Sequence, residues 1–402
     1  MFYRLPEHGT VLDWARQTPP DLKFSAKLTQ IIIRKKALDV ARGIEMHFAP
    51  ISAQPKEHRA PVPLNFETNG SGDDSNVAAL VSVCIPTYNG ARWLEDTIQS
   101  ALQQTHDELE VLIVDDRSTD HTVEIARSFR DSRIRVEVNE QNLGTVHNRN
   151  RCVRLSKGSL VKFLFQDDLL YPTCVEKMAR LLMEHGEVGM VFAPRDVLVE
   201  NPKDPASIAW RRRHGVPHTR FTSLTSVNRG IALFSQWFAK GFGENWIGEP
   251  SNVMLRKACL EKIGMFNTRM RQASDLELWA RMMYFYDVGF IDETLSAFRL
   301  HSASLTAHGL QQNVHWLDRI WLVEGLLRYE EIRRTHPWIR LLRHREAVYV
   351  LMQQVMRILR REPIPVVSML RSAGDYARYL VQATSNRLPP IHDQEFRQIT
   401  GT

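Results

Sequence analysis

Cysteine is scarce in this 402-residue chain: Cys84, Cys152, Cys174 and Cys259 stand far apart, and no CxxC pair occurs. That spacing excludes a zinc ribbon or a disulfide framework and leaves buried free thiols as the expectation. The 15 histidines contain no HExxH spacing, which excludes a helix-borne zinc site of that kind. No stretch approaches the ~20 apolar residues that a membrane-spanning helix needs. The opening MFYRLPEHGT lacks the charged-then-apolar plan of a signal peptide, so the expected location is cytoplasmic. A glycine-rich phosphate loop is missing after the first predicted strand, where Pro86-Thr87-Tyr88-Asn89-Gly90 stands instead. Lysine is absent from residues 311–402, which hold 14 arginines against 9 acids, a surplus of five within a net charge of +6. A protein that coats nucleic acid would spread such charge, and no nucleic-acid motif appears, so nucleic acid is not an expected partner.

What the chain does have is ordered alternation. Residues 51–80 are rich in Pro, Gly, Ser, Asn and Asp and read as a linker after an N-terminal appendage of residues 1–50. From Val81 to about Ser304, strands and helices alternate, which predicts a mostly parallel sheet flanked by helices. Residues 306–402 read as a helical C-terminal extension. Strand VSVCI is expected to stop at the Pro86 turn, and Arg117-Ser118-Thr119-Asp120 to cap the helix that follows the second strand.

Two apolar runs, LEVLIV and LVKFLF, each stop on paired acids: Asp115-Asp116, and Asp167-Asp168 after Gln166. Runs of that kind read as strands buried on both faces, so the acids fall at the carboxyl edge, where open α/β sheets place ligands. Adjacent acids repel, and two such pairs point to a site for a cation or for a ligand rich in hydroxyl and amide donors. The blander alternative makes Asp167-Asp168 a helix cap ahead of Leu169, Asp115-Asp116 a favourable helix start, and Asp275 a first-turn acid of LELWARMM. Glu277 and Arg281 read as an i, i+4 surface pair.

Taken in order, VSVCIPTYNGARWLEDTIQSALQQTHDELEVLIVDDRSTD, NLGTVHNRNRCVRLSKGSL, FLFQDD, SDLELWARM and FRLHSAS closely resemble family 2 glycosyltransferases of the GT-A fold. The resemblance spans residues 81–305. It implies a metal-dependent, inverting transfer of a sugar from a nucleotide diphosphate, a UDP-sugar by expectation, to a glycan or lipid-linked acceptor hydroxyl in surface polysaccharide or other glycan synthesis. It also implies the roles of particular residues. Asp168 and His301 would hold Mn²⁺ or Mg²⁺ on the diphosphate, and Asp167 would contact the sugar or ribose. Pro86, Thr87, Tyr88, Asp116 and Arg149 would line the nucleotide pocket. Asp275 would be the catalytic base, with Gly248 and Trp246 on the acceptor side. The acceptor pocket is expected in an irregular stretch from Arg195 to Glu249, where Trp237 and Trp246 would either stack on sugar rings or pack in the core.

Three positions depart from the family pattern: Phe165 stands where many relatives carry an acid, Ser274 where others carry Glu, and Arg117 replaces a common glycine. The first 40 residues separately resemble a fragment of a (β/α)8-barrel family of undefined function, far short of the ~250 residues a barrel requires. In the tail, Leu341, Val348, Met352, Val355 and Leu359 form an apolar stripe with arginines at both ends. It is expected to pack on the catalytic domain or on a second copy, with docking at the inner face of an anionic membrane as the alternative. Other functions consistent with these residues are a degenerate nucleotide-sugar-binding protein and a sugar nucleotidyltransferase of related fold.

Overall fold

The computed structural model describes residues 79–301 except 241, residues 317–347 except 338, and residue 374. The expected appendage, nearly all of the linker and the outer part of the tail stripe lie outside the described residues.

The chain begins with β1 (Val81–Thr87), α1 (Leu94–Leu102), β2 (Leu109–Asp115), α2 (Thr122–Ser128), β3 (Ile134–Val138) and α3 (Thr145–Leu155). Next come β4 (Leu160–Phe163), β5 (Leu169–Leu170), α4 (Cys174–Glu184), β6 (Val188–Phe192) and β7 (Arg195–Val199). They are followed by α5 (Pro205–His214), β8 (Val227–Asn228), α6 (Gly230–Lys240), β9 (Val253–Arg256) and α7 (Lys257–Ile263). α8 (Ser274–Phe285), β10 (Asp287–Phe290), β11 (Ser296–Leu300), α9 (Asp318–Leu327) and α10 (Glu330–Thr335) complete the order.

Eight strands form one sheet in the order β3-β2-β1-β4-β9-β6-β10-β8. Six run in one direction, and β9 and β8 run against them. This is the α/β, mostly parallel sheet expected of a GT-A fold. A smaller sheet, β5-β11-β7, lies beyond the carboxyl ends of β4 and β6 in the chain and carries the late residues of the site.

The two-residue strand period divides the core. Val81, Val83 and Ile85 of β1 pack with Val111 and Ile113 of β2 against Leu94, Ile98 and Ala101 of α1. Cys84, Leu112 and Val114 point the other way, into a layer with Val153, Phe234, Trp237, Trp279 and Trp321. Both faces are therefore covered, which is why these strands read as continuous apolar runs. All four cysteines are free and buried, as the spacing implied. No helix among the described residues is long and apolar enough to cross a membrane.

Four local expectations change. β1 runs on through Pro86, which pairs with Val114 of β2. The ladder to β4 covers only Val81–Cys84, so the N–H that proline lacks faces a side where no further rung forms. α2 starts at Thr122, and Asp120 accepts its backbone N–H at 3.1 Å from two residues upstream. The stretch from Arg195 to Glu249 is largely regular, with β7, α5, β8 and α6 in it. Glu277 and Arg281 are a fully buried ion pair, not a surface one. Arg281 also donates to the carbonyls of Ile263, Gly264 and Met265, which ties the end of α7 to α8.

The described part of the extension belongs to the same core. Ile320, Trp321, Val323 and Leu326 of α9 are buried with Leu278 and Trp279 of α8. In the helical residues 339–347, Ile339 and Leu342 face inward, while Leu341 of the expected stripe is 62% exposed.

Candidate functional site

The carboxyl edges of β1, β2 and β4 bring their exit loops together, since Thr87 lies opposite Asp115 and Cys84 opposite Phe163. Asp115 is buried under this edge, where its carboxylate accepts from Thr87 Oγ1 at 2.9 Å and from the Ser118 backbone N–H at 2.8 Å. Asp116 is equally buried. It accepts from Asn139 Nδ2 at 2.8 Å, the Leu143 N–H at 2.7 Å and the Gly144 N–H at 2.8 Å. Its carboxylate thus shapes the loop that leads into α3, which is a reason for an acid at this position besides any contact with a nucleobase. Arg117 has φ of 64°, the left-handed region, which fits the glycine that the family pattern implied at this position.

Tyr88, on the turn that leaves β1, is 48% exposed. Its backbone N–H donates to Gln166 Oε1 at 2.8 Å, and Gln166 Nε2 donates back to the Tyr88 carbonyl at 3.2 Å. The Gln166 amide imitates a strand neighbour and clamps the Pro86–Gly90 turn to the Asp167-Asp168 turn. A Cβ on Gly90 would meet Gln166 Oε1 at 2.3 Å, so the clamp depends on glycine at that position.

The two acids of the second pair have different environments. Asp168 is fully buried, accepting from Ser251 Oγ at 2.6 Å and from the Arg299 backbone N–H at 3.0 Å. Burial, and then the neighbouring Asp167 charge, push its carboxyl well above the ordinary range. Asp167 keeps a fifth of its side chain exposed and meets His301 Nε2 at 2.8 Å. The His301 ring lies 4.0 Å from that of Trp93, and its Nδ1 is buried without a partner among the described residues. Leu169 begins a strand, which removes the helix-cap explanation for the pair.

The expected metal ligands therefore differ in access. Asp167, paired with His301, keeps part of its side chain exposed, whereas both oxygens of Asp168 are engaged inside the protein. No group of three His, Cys, Asp or Glu ligands exists among the described residues. An Asp and a His side by side fit a hard divalent ion that takes its remaining oxygens from a diphosphate and water, the usual mode for magnesium with nucleotides.

Asp275 lies in the first turn of α8, partly buried. Its carboxylate accepts from the Leu276 N–H at 2.8 Å and from Asn245 Nδ2 at 3.2 Å. Burial raises its pKa to about 6, against the pull of Arg149. Arg149 itself is buried: its guanidinium sits 4.6 Å over Phe165 and donates to Ser274 Oγ at 3.3 Å. The two departures from the family pattern, Phe165 and Ser274, thus meet at one arginine.

Gly248 has φ of 115°, and its carbonyl accepts from Asn245 Nδ2 at 2.9 Å and Trp279 Nε1 at 3.0 Å. Trp237 and Trp246 are buried core residues, so packing accounts for both. Trp246 meets Phe221 edge-on at 5.1 Å.

Several contributors carry no motif that would have singled them out. Lys162 lies fully buried below the acidic turn and donates to the carbonyls of Phe163 and Ser251. Asp318 of α9 receives the backbone N–H groups of Gln272 and Ala273, each at 2.8 Å, just ahead of α8. Ser251 and Asn245 are polar loop residues like many others. Glu249 was visible only as the edge of an expected pocket.

Residues 82–243 match the model described as Glycosyl transferase family 2. Residues 1–149 match a second, Protein of unknown function DUF72, in accord with the separate resemblance of the opening segment. An uncharacterized protein of Mycobacterium tuberculosis, MT1568, is 35% identical over 272 residues, covering 65% of this chain and 83% of the relative. A putative teichuronic acid biosynthesis glycosyltransferase of Bacillus subtilis, TuaG, is 29% identical over 269 residues, 65% of this chain and 92% of the relative. The crystal structure of S. aureus TarS 1–349 with UDP-GlcNAc aligns at a TM-score of 0.47 and 20% identity, covering 62% of this chain and 67% of that one.

Proposed function

The chain belongs to glycosyl transferase family 2, and from that premise we propose that it moves a sugar from a nucleotide diphosphate to an acceptor hydroxyl by a single displacement. One observation carries the reading furthest: the segment from Asn245 to Ser251 hydrogen-bonds Asp275 at one end and Asp168 at the other. A base and the diphosphate side of the cleft are thereby joined by seven residues of chain.

In this reading Asp275 accepts the proton of the acceptor hydroxyl as that oxygen bonds to the anomeric carbon. The bond from that carbon to the diphosphate oxygen breaks on the opposite face, so configuration inverts. A pKa near 6 suits the task, because the carboxylate is ionised at neutral pH yet basic enough to take a proton. Asn245 holds the carboxylate by its amide, and the Gly248 turn keeps Asn245 in place.

The geometry favours Asp167 and His301 as the protein ligands of the expected Mn²⁺ or Mg²⁺. When bound, such an ion neutralises charge that builds on the leaving diphosphate. Asp168 acts from behind: by gripping Ser251 and the Arg299 backbone it fixes the turn that presents Asp167. The nucleoside lies by Tyr88 on the turn that Gln166 clamps, and the acceptor enters from the Gly248 side.

The test is a panel of UDP- and GDP-sugars with Mn²⁺ or Mg²⁺, followed by nucleotide release and by heat of binding. At least one donor is expected to bind with a metal requirement. Folded protein that responds to none of them would defeat the proposal.

A further inference from the structure

Glu249 lies in the segment that joins Asp275 to Asp168, and nothing above gives it a task. It lies between Gly248, tied through Asn245 to the base Asp275, and Ser251, bonded to Asp168 at 2.6 Å. Its side chain is one-fifth exposed, while the Arg195 that holds it is 1% exposed. Arg195 binds it in a fork, Nε at 2.6 Å and Nη2 at 3.0 Å.

The dependence in this pair runs one way. Arg195 also donates to the carbonyls of Gly215 at 2.8 Å and His214 at 3.0 Å, and lies against Trp210 and Phe298. Its place is set without Glu249. Beyond Arg195, the Glu249 carboxylate has its own backbone N–H and a long contact, Asn252 Nδ2 at 3.5 Å. Arg195 therefore works as a buried mount, and Glu249 is the partly exposed group that it holds. Burial opposes its ionisation, but Arg195 outweighs that and keeps the carboxyl below its ordinary range. Its charge reaches both ends of the cleft. After burial, it is among the groups that hold Asp168 and Asp275 above the ordinary carboxylate range.

Resting on the transferase reading, we propose that Glu249 accepts hydroxyl hydrogens from the transferred sugar and restricts the donor to neutral sugars, excluding uronic acids. The position follows from the two ends it joins. The sugar must sit between the diphosphate at Asp167 and the base at Asp275, and the 245–251 segment spans that interval. An ionised carboxylate there suits a hydroxyl-rich ring and repels a second carboxylate, and Arg195, already engaged in its fork, is not free to offset that repulsion.

The experiment uses the full chain with Mn²⁺ and calorimetry on matched probes: UDP-glucose, UDP-glucuronate and UDP, and GDP-mannose, GDP-mannuronate and GDP. The intact protein should bind the neutral sugar of the responding pair at least ~10-fold more tightly than its uronate counterpart. Glu249→Gln should narrow that ratio and weaken the neutral donor ~10-fold, with the free nucleotide unchanged. An intact protein that takes the uronate as readily as the neutral sugar overturns the proposal, and that comparison needs no folded variant. So does a Glu249→Gln protein that loses nucleotide and nucleotide sugar in parallel, the sign of a merely structural pair. If the intact chain binds none of the six probes, the transferase reading fails together with this one, a result separable from a lost ratio.

Discussion

The guanidinium of Arg149 lies 4.6 Å over the ring of Phe165 and, from the same buried place, donates to Ser274 beside Asp275, the proposed base. Where relatives carry acids, this chain offers an aromatic face and a hydroxyl. Neither competes for the charge of Arg149, which is left to act on Asp275 and limits how far burial raises it. An acid restored at position 165 should pair with Arg149 and release Asp275 from that pull. Phe165→Asp is therefore expected to move the acidic limb of the pH–rate profile up by about one unit. Phe165→Leu, which removes the ring but adds no charge, should leave the limb in place. A profile that does not move in the Asp variant would show that Arg149 does not tune the base.

Asp275 itself couples activity to stability. The native carboxyl keeps its proton to about pH 6, against an ordinary value of 3.8. Between those two values the native state binds more protons than the unfolded one, so this residue's contribution to stability falls as pH rises. Asp275→Asn abolishes that dependence. Its melting temperature relative to the parent should climb from pH 4 to pH 7, by an amount that corresponds to about 1–3 kcal/mol. Transfer should drop by roughly two orders of magnitude or more at every pH, the contribution expected of a general base. In the parent, transfer should rise through pH 6 and level off above it. A variant whose relative stability is flat across this range would mean that Asp275 is ionised normally in the native state.

Asp167 and Asp168 should separate under the same substitution. Asp167→Asn removes a charge that faces His301 at the cleft and should raise the Mn²⁺ concentration for half-maximal donor binding by about tenfold or more. Asp168→Asn replaces a buried carboxyl, held above its ordinary range, with a neutral group of the same shape. It should shift the metal midpoint little, and its cost should appear as a changed melting temperature, since Asn offers one acceptor in place of two. Titration of both variants by calorimetry decides between them. A larger loss of metal binding in the Asp168 variant would return the ion to that residue.

The alternating elements and the strand-end acids were legible because they depend on local pattern. A run such as LEVLIV has one way to be buried on both faces, and an acid at its end has one edge to occupy. Asp115, Asp116, Asp167 and Asp168 are accordingly found at that edge. What each carboxylate touches was not legible, since it depends on partners far along the chain: Asp168 is held by Ser251 and Arg299, and Asp275 by Asn245. The Glu277–Arg281 pair shows the same limit. Its i, i+4 spacing is that of a surface pair, and only the packing of α7 and α9 around α8 buries it. Pro86 gave the opposite error, because its missing N–H costs nothing once β4 has ended.

Asp318 is another such partner, in the helical extension, and it carries the last prediction. Its carboxylate accepts the N–H groups of Gln272 and Ala273 at 2.8 Å each, and that of Arg271 at 3.1 Å. Those residues lead straight into the first turn of α8, where Asp275 sits. An anion against a fan of N–H groups at a helix start is favourable on both hydrogen-bond and dipole grounds. α9, in the helical extension, is thus tied to the start of α8, which carries the proposed base. Asp318→Asn keeps the size and loses the charge and one acceptor, which should cost about 1–3 kcal/mol of stability. It should also lower kcat about tenfold through misplacement of Asp275, because small errors of position at a reacting group are expensive. Donor binding, set at the Tyr88 and Asp167 turns, should not change. A variant with lowered melting temperature but unchanged kcat would make Asp318 a structural cap alone, and one with weakened donor binding would place its effect elsewhere in the cleft.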